Sequence, residues 1–413
     1  MTSRWMKPVV ALTALLGAAA GAPDQGLAAA AEAPPVPLLA DTIINGVAGF
    51  GIRLLADLSG RQPGQSVVVS PYGLATALAM TAEGAAGTTR SALTQLLGLG
   101  DMSSEDIATG HQALRTTLSA PDAAGAAPVI ANSLWGGKGV TFAEPFQARQ
   151  RQAFAAVAES VDFASPDATK RINDWVSTAT SGKISQIVPL LPPTTPLVLV
   201  TAVHFKGAWE TAFNPAHTRD QPFTLPDGKK RMVPLMIRTD ALLSYRESPE
   251  FQAVTLPYKG ERLGLTVLLP SREGEAPAAF LENAVKALMA SRAEPDRAVT
   301  LSLPRASLTF NAELHQSMDA LGAGIAFTQA ADFSAMTTSK VLLDRLLHAV
   351  SLTIDEQGTE AAAATAVTLG RGFPSRNAVM TVDRPYYLLL HPLGDLRTIL
   401  FLAYVADPQP PGP

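Results

Sequence analysis

A single α+β domain built on large, mostly antiparallel sheets is predicted by three features of the 413-residue sequence. Helix-period apolar spacing is concentrated before residue 180. Strand-like runs dominate after residue 197. Neither an internal repeat nor a linker separates two compact halves. Length alone, at about 150 residues per domain, would suggest two or three domains. The missing linker argues for one.

Arg4 and Lys7 precede an apolar run over residues 9–20, and small residues then form two A-x-A patterns, at 18–20 and 28–30. This layout predicts a secretory signal peptide over residues 1–30. The run is too short for a spanning helix, which needs about 20 apolar residues, and a lone N-terminal anchor is the alternative. Pro34, Pro35 and Pro37 predict an extended lead-in over residues 31–38. The domain proper is expected over residues 39–408, with a short tail at 409–413. The expected product is secreted or periplasmic, with no membrane contact after signal removal.

Ile43, Val47, Phe50, Leu54 and Leu58 recur at helical spacing and predict a helix over residues 41–58. A short strand at 67–70 ends at Pro71. Helices at 74–82 and 89–97 are divided by Gly84 and Gly87, and a further helix spans 104–118. Residues 129–135 read as a strand stopped by Gly136 and Gly137, 142–154 as a helix and 155–163 as strand-like. A helix over 167–180 puts Ile172, Trp175, Val176 and Ala179 on one face. The run 197–205 is apolar except for Thr201 and His204, which predicts a strand buried on both faces. Strands at 253–256, 263–269 and 298–303 follow, interrupted by a helix over 278–291. A short helix over 313–321 precedes strands at 348–355, 386–390 and 398–405.

Composition narrows the function. Lys and Arg number 32 against 36 Asp and Glu, a net charge of -4, which excludes a strongly basic nucleic-acid binder and a polybasic membrane-surface protein. With 47% hydrophobic and 16% charged residues, global disorder is excluded. There is no cysteine, hence no disulfide, thiol catalysis or thiolate metal site. The histidines, His111, His204, His217, His315, His348 and His391, include no i, i+4 pair, and no H-E-x-x-H, G-x-S-x-G, Walker or G-x-G-x-x-G motif occurs. Thr337-Thr-Ser-Lys340 approaches S-x-x-K but has threonine at the nucleophile position. A hydrolase with dispersed triad members is the remaining enzymatic alternative. No metal, no cofactor and no catalytic residue is expected. The helix over 104–118 has Arg115 as its one strong base, which gives no support to a polyanion-activating site.

One stretch resists a bland reading. Residues 357–375 follow a good strand and lie well before the closing ones. Read at period two, one face is Thr359, Ala361, Ala363, Thr365, Val367 and Leu369, without charge and small at its start. Such a face suits a strand that slides between existing strands. The alternative is a floppy Ala/Thr-rich connector. Gly370-Arg-Gly-Phe-Pro-Ser375 reads as an exposed loop tip.

These residues resemble a known family. Asp355-Glu-Gln-Gly-Thr-Glu-Ala-Ala-Ala-Ala-Thr365 is similar, almost residue for residue, to the hinge of the serpin reactive-centre loop. Further similar blocks occur in the same order: Asn132-Ser-Leu-Trp135, Ile172-Asn-Asp-Trp-Val176 with Gly182-Lys-Ile184, Phe205-Lys-Gly-Ala-Trp209, Asp383-Arg-Pro-Tyr-Tyr387, and Ile399-Leu-Phe401 with Asp407-Pro408. The resemblance runs from about Leu39 to Pro408.

The resemblance implies one domain of three β-sheets and about nine helices, with the loop held outside. It implies a suicide-substrate inhibitor of serine endopeptidases, with cysteine endopeptidases as a second target class. The protease cleaves the loop and forms an acyl-enzyme, and the loop inserts into the main sheet before deacylation. A covalent serine-protease partner and a monomer are expected. The implied hinge is Glu356, Gly358, Thr359, Ala361, Ala363 and Thr365. No charge or proline stands at Thr359, Ala361 or Ala363, as insertion demands. In the sheet-opening region Ser70 and His348 match the family, Gly73 stands at a serine position, Thr201 at an asparagine position, and Trp209 at the top of the sheet. Trp209 also reads as a core aromatic, and His348 as either a core hydrogen-bonding group or a pH-responsive latch. Family spacing from Glu356 puts the scissile bond between Gly372 and Phe373, with cleavage after Arg371 ranked equally. Pro374 disfavours cleavage after Phe373. A non-inhibitory serpin serving as carrier, chaperone or storage protein is the alternative.

Overall fold

The structure, a computed structural model, describes residues 36–119, 126–272, 277–290, 296–359 and 377–411. The signal-peptide reading, Ala361, Ala363 and Thr365 of the hinge, and Arg371, Gly372 and Phe373 lie outside the described residues.

Helices lead the chain. α1 (Val36–Arg61) begins inside the stretch expected to be extended. Pro37 is tolerated there because first-turn N–H groups have no intrahelical acceptor. Ser70 caps α2 (Pro71–Ala82) by accepting the Gly73 N–H, and every residue of α2 is buried. α3 (Gly87–Leu96) follows. α4 (Ser104–Leu118) starts at a Ser103 cap with Glu105 and Asp106 in its first turn, complementing the helix dipole. α5 (Glu144–Phe154) ends at Ala155 in a left-handed conformation, so the strand expected from 155 is shortened to Val157–Ser160. α6 (Pro166–Ala179) carries its apolar face through Ile172 and Val176. α7 (Pro277–Ala290) and α8 (His315–Ala320) complete eight α-helices among the described residues.

The main sheet has the strand order β10 (Ala306–Glu313), β11 (Leu343–Ile354), β4 (Leu197–Ala208), β2 (Ala127–Gly136) and β3 (Val157–Ser160). Its centre departs from an antiparallel pattern. β11 and β4 run parallel, from Leu343 opposite Leu197 to Ser351 opposite His204, with one irregularity between Leu343 and Arg345. Beyond that pair the strands separate, and a two-residue strand, β12 (Gly358–Thr359), pairs antiparallel with Ala208 and Gly207 of β4.

The other strands form a continuous path, β1 (Val67–Val69), β15 (Phe401–Val405), β14 (Tyr386–Pro392), β8 (Leu263–Pro270), β7 (Phe251–Pro257), β6 (Lys230–Glu247), β9 (Arg297–Pro304) and β13 (Ala378–Thr381), with β5 (Arg219–Thr224) on β6. The 18-residue β6 divides this path. It pairs with β7 through Ser244–Glu247 and with β5 and β9 through its earlier residues, across an irregularity between Arg238 and Ala241. β6 therefore joins two parts of this nine-stranded sheet, which stands beside the main sheet among the described residues.

The main sheet is buried on both faces, as the continuous apolar run of β4 predicts. Leu197, Leu199, Val203 and Phe205 join the large core with α1 and α2. Val198, Val200 and Ala202 join Leu347 and Ala349 of β11 and Ile172 and Val176 of α6 in a smaller cluster. α6 therefore packs on this second face of the sheet, against β2 beside the parallel seam.

Candidate functional site

The open end of the seam is built from a turn encoded by Asp355-Glu-Gln-Gly358. The Asp355 carboxylate oxygen Oδ1 accepts the backbone N–H groups of Gln357 (2.8 Å) and Gly358 (3.2 Å). The Asp355 N–H donates to the Gly358 carbonyl at 2.9 Å. Such side-chain-closed turns are what Asp favours. Gly358 has φ +147, and a Cβ there would fall 2.2 Å from the Gly207 carbonyl oxygen, so the position admits only glycine.

The turn is clamped from both sides. The Trp209 and Phe213 N–H groups donate to the Gln357 and Glu356 carbonyls at 2.9 and 2.8 Å. The Trp209 indole N–H donates to the Asp355 carbonyl at 2.9 Å. Glu356 is buried, and its carboxylate accepts the Arg305 Nε–H at 2.8 and 2.9 Å and the Thr218 hydroxyl. Burial raises the Glu356 carboxyl, but Arg305 and Thr218 outweigh it and hold the group below its ordinary value. Thr359 is fully buried, and its hydroxyl shares a 2.7 Å hydrogen bond with Tyr258. The Tyr258 ring stacks on Trp209, centroids 4.5 Å apart. Trp209 is thus both a core aromatic and a hinge contact.

A second polar group lies midway along the seam, under the N terminus of α2. The Ser70 hydroxyl donates to the Leu400 carbonyl (2.6 Å) and accepts the Gly73 N–H (3.1 Å). The Ser70 N–H donates to His348 Nε2 at 3.1 Å, which puts the ring proton on Nδ1. Burial pushes the His348 pKa down to about 3, against a smaller upward pull from the Thr201 backbone carbonyl. His348 is therefore a neutral hydrogen-bonding group. Thr201 lies in register with His348 on one side and Asn132 on the other. The Thr201 hydroxyl has no hydrogen-bond partner among the described residues. The amide is supplied instead by Asn132 of β2, whose Nδ2 donates to the Gly73 carbonyl at 3.3 Å.

A family model described as serpin, serine protease inhibitor, matches residues 45–408. This chain belongs to the serpin family. A serpin-like protein of Thermococcus kodakarensis, itself uncharacterised, is 31% identical over 89% of this chain and 86% of its own length. The leukocyte elastase inhibitor of Equus caballus is 31% identical over 87% of this chain and 97% of its own. Among solved structures, human thyroxine-binding globulin complexed with thyroxine superposes with a TM-score of 0.81 at 26% identity, covering 90% of this chain and 99% of that one. Serpins are mostly protease inhibitors and generally act on serine proteases through a covalent complex.

In this serpin the structure brings Glu356, Gly358, Thr359 and Trp209 together at the open end, and Ser70, Thr201 and His348 together at mid-seam. Arg305, Thr218, Tyr258 and Asn132 were not singled out from sequence. Each meets its partner only through space, although Asn132 opens one of the family-like blocks.

Two outcomes follow at mid-seam. A Cβ on Gly73 would meet Val203 Cγ2 at 2.8 Å and Ser70 Oγ at 2.9 Å. Gly73→Ala is therefore expected to lower the unfolding free energy by about 1–3 kcal/mol, measured as a lower urea midpoint at unchanged m-value. His348 is neutral when folded and has an ordinary value of 6.5 when unfolded. The unfolded chain then binds more protons below that pH, and stability falls as pH drops from about 6.5 towards 3. His348→Gln, which keeps an acceptor for Ser70, is expected to recover roughly 2 kcal/mol of the stability lost between pH 7 and pH 5 in urea titrations. An unchanged pH dependence would mean that His348 already carries charge in the fold.

Proposed function

We propose that this serpin is an exported suicide-substrate inhibitor of serine endopeptidases whose bait loop lies within residues 360–376. The reading is carried by β12, a strand already wedged between β4 and β11 where the parallel seam ends. Extending the pairing of Thr359 with Gly207 sets Ala361 opposite Phe205, Ala363 opposite Val203 and Thr365 opposite Thr201. Every residue on that face is small or apolar, and Thr365 would offer a hydroxyl to Thr201.

Insertion replaces one parallel ladder by two antiparallel ones, the more stable pairing per residue. From Thr359 opposite Gly207 to Leu369 opposite Leu197, the loop travels about 34 Å along β4 at ~3.4 Å per residue. In the reaction, the protease serine oxygen bonds to the carbonyl carbon of Gly372 or Arg371. The scissile C–N bond breaks, and the amine of the next residue takes up a proton and leaves. Insertion then carries the acylated end down the sheet before water hydrolyses the ester. The N-terminal charge and apolar pattern supports export.

A carrier role is the second reading, favoured by the likeness to thyroxine-binding globulin. The hinge, with no charge or proline at Thr359, Ala361 or Ala363, supports the inhibitor.

Incubation with trypsin-like, elastase-like and subtilisin-like proteases is expected to give a complex stable on denaturing gels. Mass spectrometry should show a released fragment starting at Phe373 or Gly372. Clean loop cleavage without any complex would support the carrier instead. Thr359→Arg places a charge in a fully buried site, so the inhibitor consumed per trapped protease is expected to rise roughly tenfold or more. Undiminished trapping would rule out insertion as the mechanism.

A further inference from the structure

The buried end of the hinge has one hydroxyl contact that the insertion scheme leaves unused. Tyr258 follows β7 and forms an isolated bridge with Trp209. Its ring is held on Trp209 and, edge-on, on Phe205 at 4.8 Å. Burial is complete, and it keeps the phenol protonated by pushing its pKa up. A buried phenolic O–H needs a partner, because leaving it unmade costs more than the bond gains. That partner is the Thr359 hydroxyl at 2.7 Å.

The two hydroxyls satisfy each other, and both lose their partner if Thr359 leaves the sheet. Asp355 and Trp209 hold only the backbone of the turn. Tyr258 holds the first side chain of the inserting face.

We propose that Tyr258 is a positioning residue that latches Thr359 in the sheet before the loop is cut, so that insertion is nucleated in the uncleaved protein. Strand growth is limited by its first pair, since the chain must be ordered before later contacts repay it. With Thr359 docked, the loop after cleavage only has to propagate. The role in trapping rests on the inhibitor reading above. The latch itself does not.

The test uses the full mature chain as wild type, Tyr258→Phe, Thr359→Val, Thr359→Ser and the Phe/Val double variant. Hydrogen exchange is followed by mass spectrometry at the amides of Asp355, Trp209 and Phe213, all of which bond within the turn. Tyr258→Phe and Thr359→Val are each expected to speed exchange there about fivefold, the equivalent of one hydrogen bond. The double variant should add little to either. Thr359→Ser, which keeps the hydroxyl, should exchange like wild type.

Unchanged exchange in Tyr258→Phe, or Thr359→Ser behaving like Thr359→Val, would overturn the latch. With a protease that the wild type traps, Tyr258→Phe should raise the inhibitor consumed per complex severalfold without slowing initial attack on the loop. Faster exchange with unchanged consumption would overturn the nucleating role. A wild type that traps no protease would sink the inhibitor reading, while the exchange data would still decide the latch.

Discussion

The pairing of β4 with β11 is the constraint on which the rest of this molecule depends. Two parallel strands sit side by side at the centre of a sheet whose flanking pairs, β10 with β11 and β2 with β4, are antiparallel. Parallel neighbours cannot be joined by a hairpin, and their hydrogen bonds are slanted. A strand of the opposite direction inserted between them would convert the seam to the pattern around it. The chain leaving β11 turns back at once and runs in that opposite direction. The seam can therefore accept one more antiparallel strand, and β12 already stands at its open end.

Polar groups are placed where opening would begin or stall. At the mouth, the turn from Asp355 to Gly358 is closed by its own carboxylate and backbone. Glu356 is fixed by a bidentate guanidinium contact. At the middle, Ser70 links α2, the residue preceding β15, and His348 of β11. Breaking buried hydrogen bonds at these points costs more than separating apolar neighbours, because each freed group must find another partner. Between the two clusters the seam is held by the backbone ladder of β4 and β11 and by apolar side chains. The side-chain polar contacts are concentrated at the mouth and the middle.

Much of this was legible in the sequence because it rests on local pattern. The apolar run of β4 predicted burial on both faces, and the family-like hinge at residues 355–365 marked where the chain leaves β11. The period-two face beginning at Thr359 read as a strand, and among the described residues β12 shows that pairing at Gly358 and Thr359. Other features were invisible because they depend on which segments meet. Nothing around Tyr258 or Arg305 in sequence points to residues 356–359. The departure at Thr201 looked like a lost amide, but the neighbouring strand supplies one from Asn132. The lead-in around Pro37 was misread as extended, since proline is compatible with both an open chain and the first turn of a helix.

The position of α6 bears on the alanines of the loop. That helix covers the face of the sheet opposite the main core, where Ile172 and Val176 share a cluster with Val198, Val200 and Ala202 of β4 and with Leu347 and Ala349 of β11. Under the proposed insertion, a strand entering the seam would turn its second face towards this cluster. In the loop, that face reads Ala362, Ala364 and Ala366 after a single leading glutamate. Alanine is the smallest side chain that still favours an ordered backbone over glycine. Under that proposal, limited clearance on the α6 face accounts for a monotony that the main core does not require. The two faces of the segment would then answer to different neighbours, one to the main core and the other to the α6 cluster.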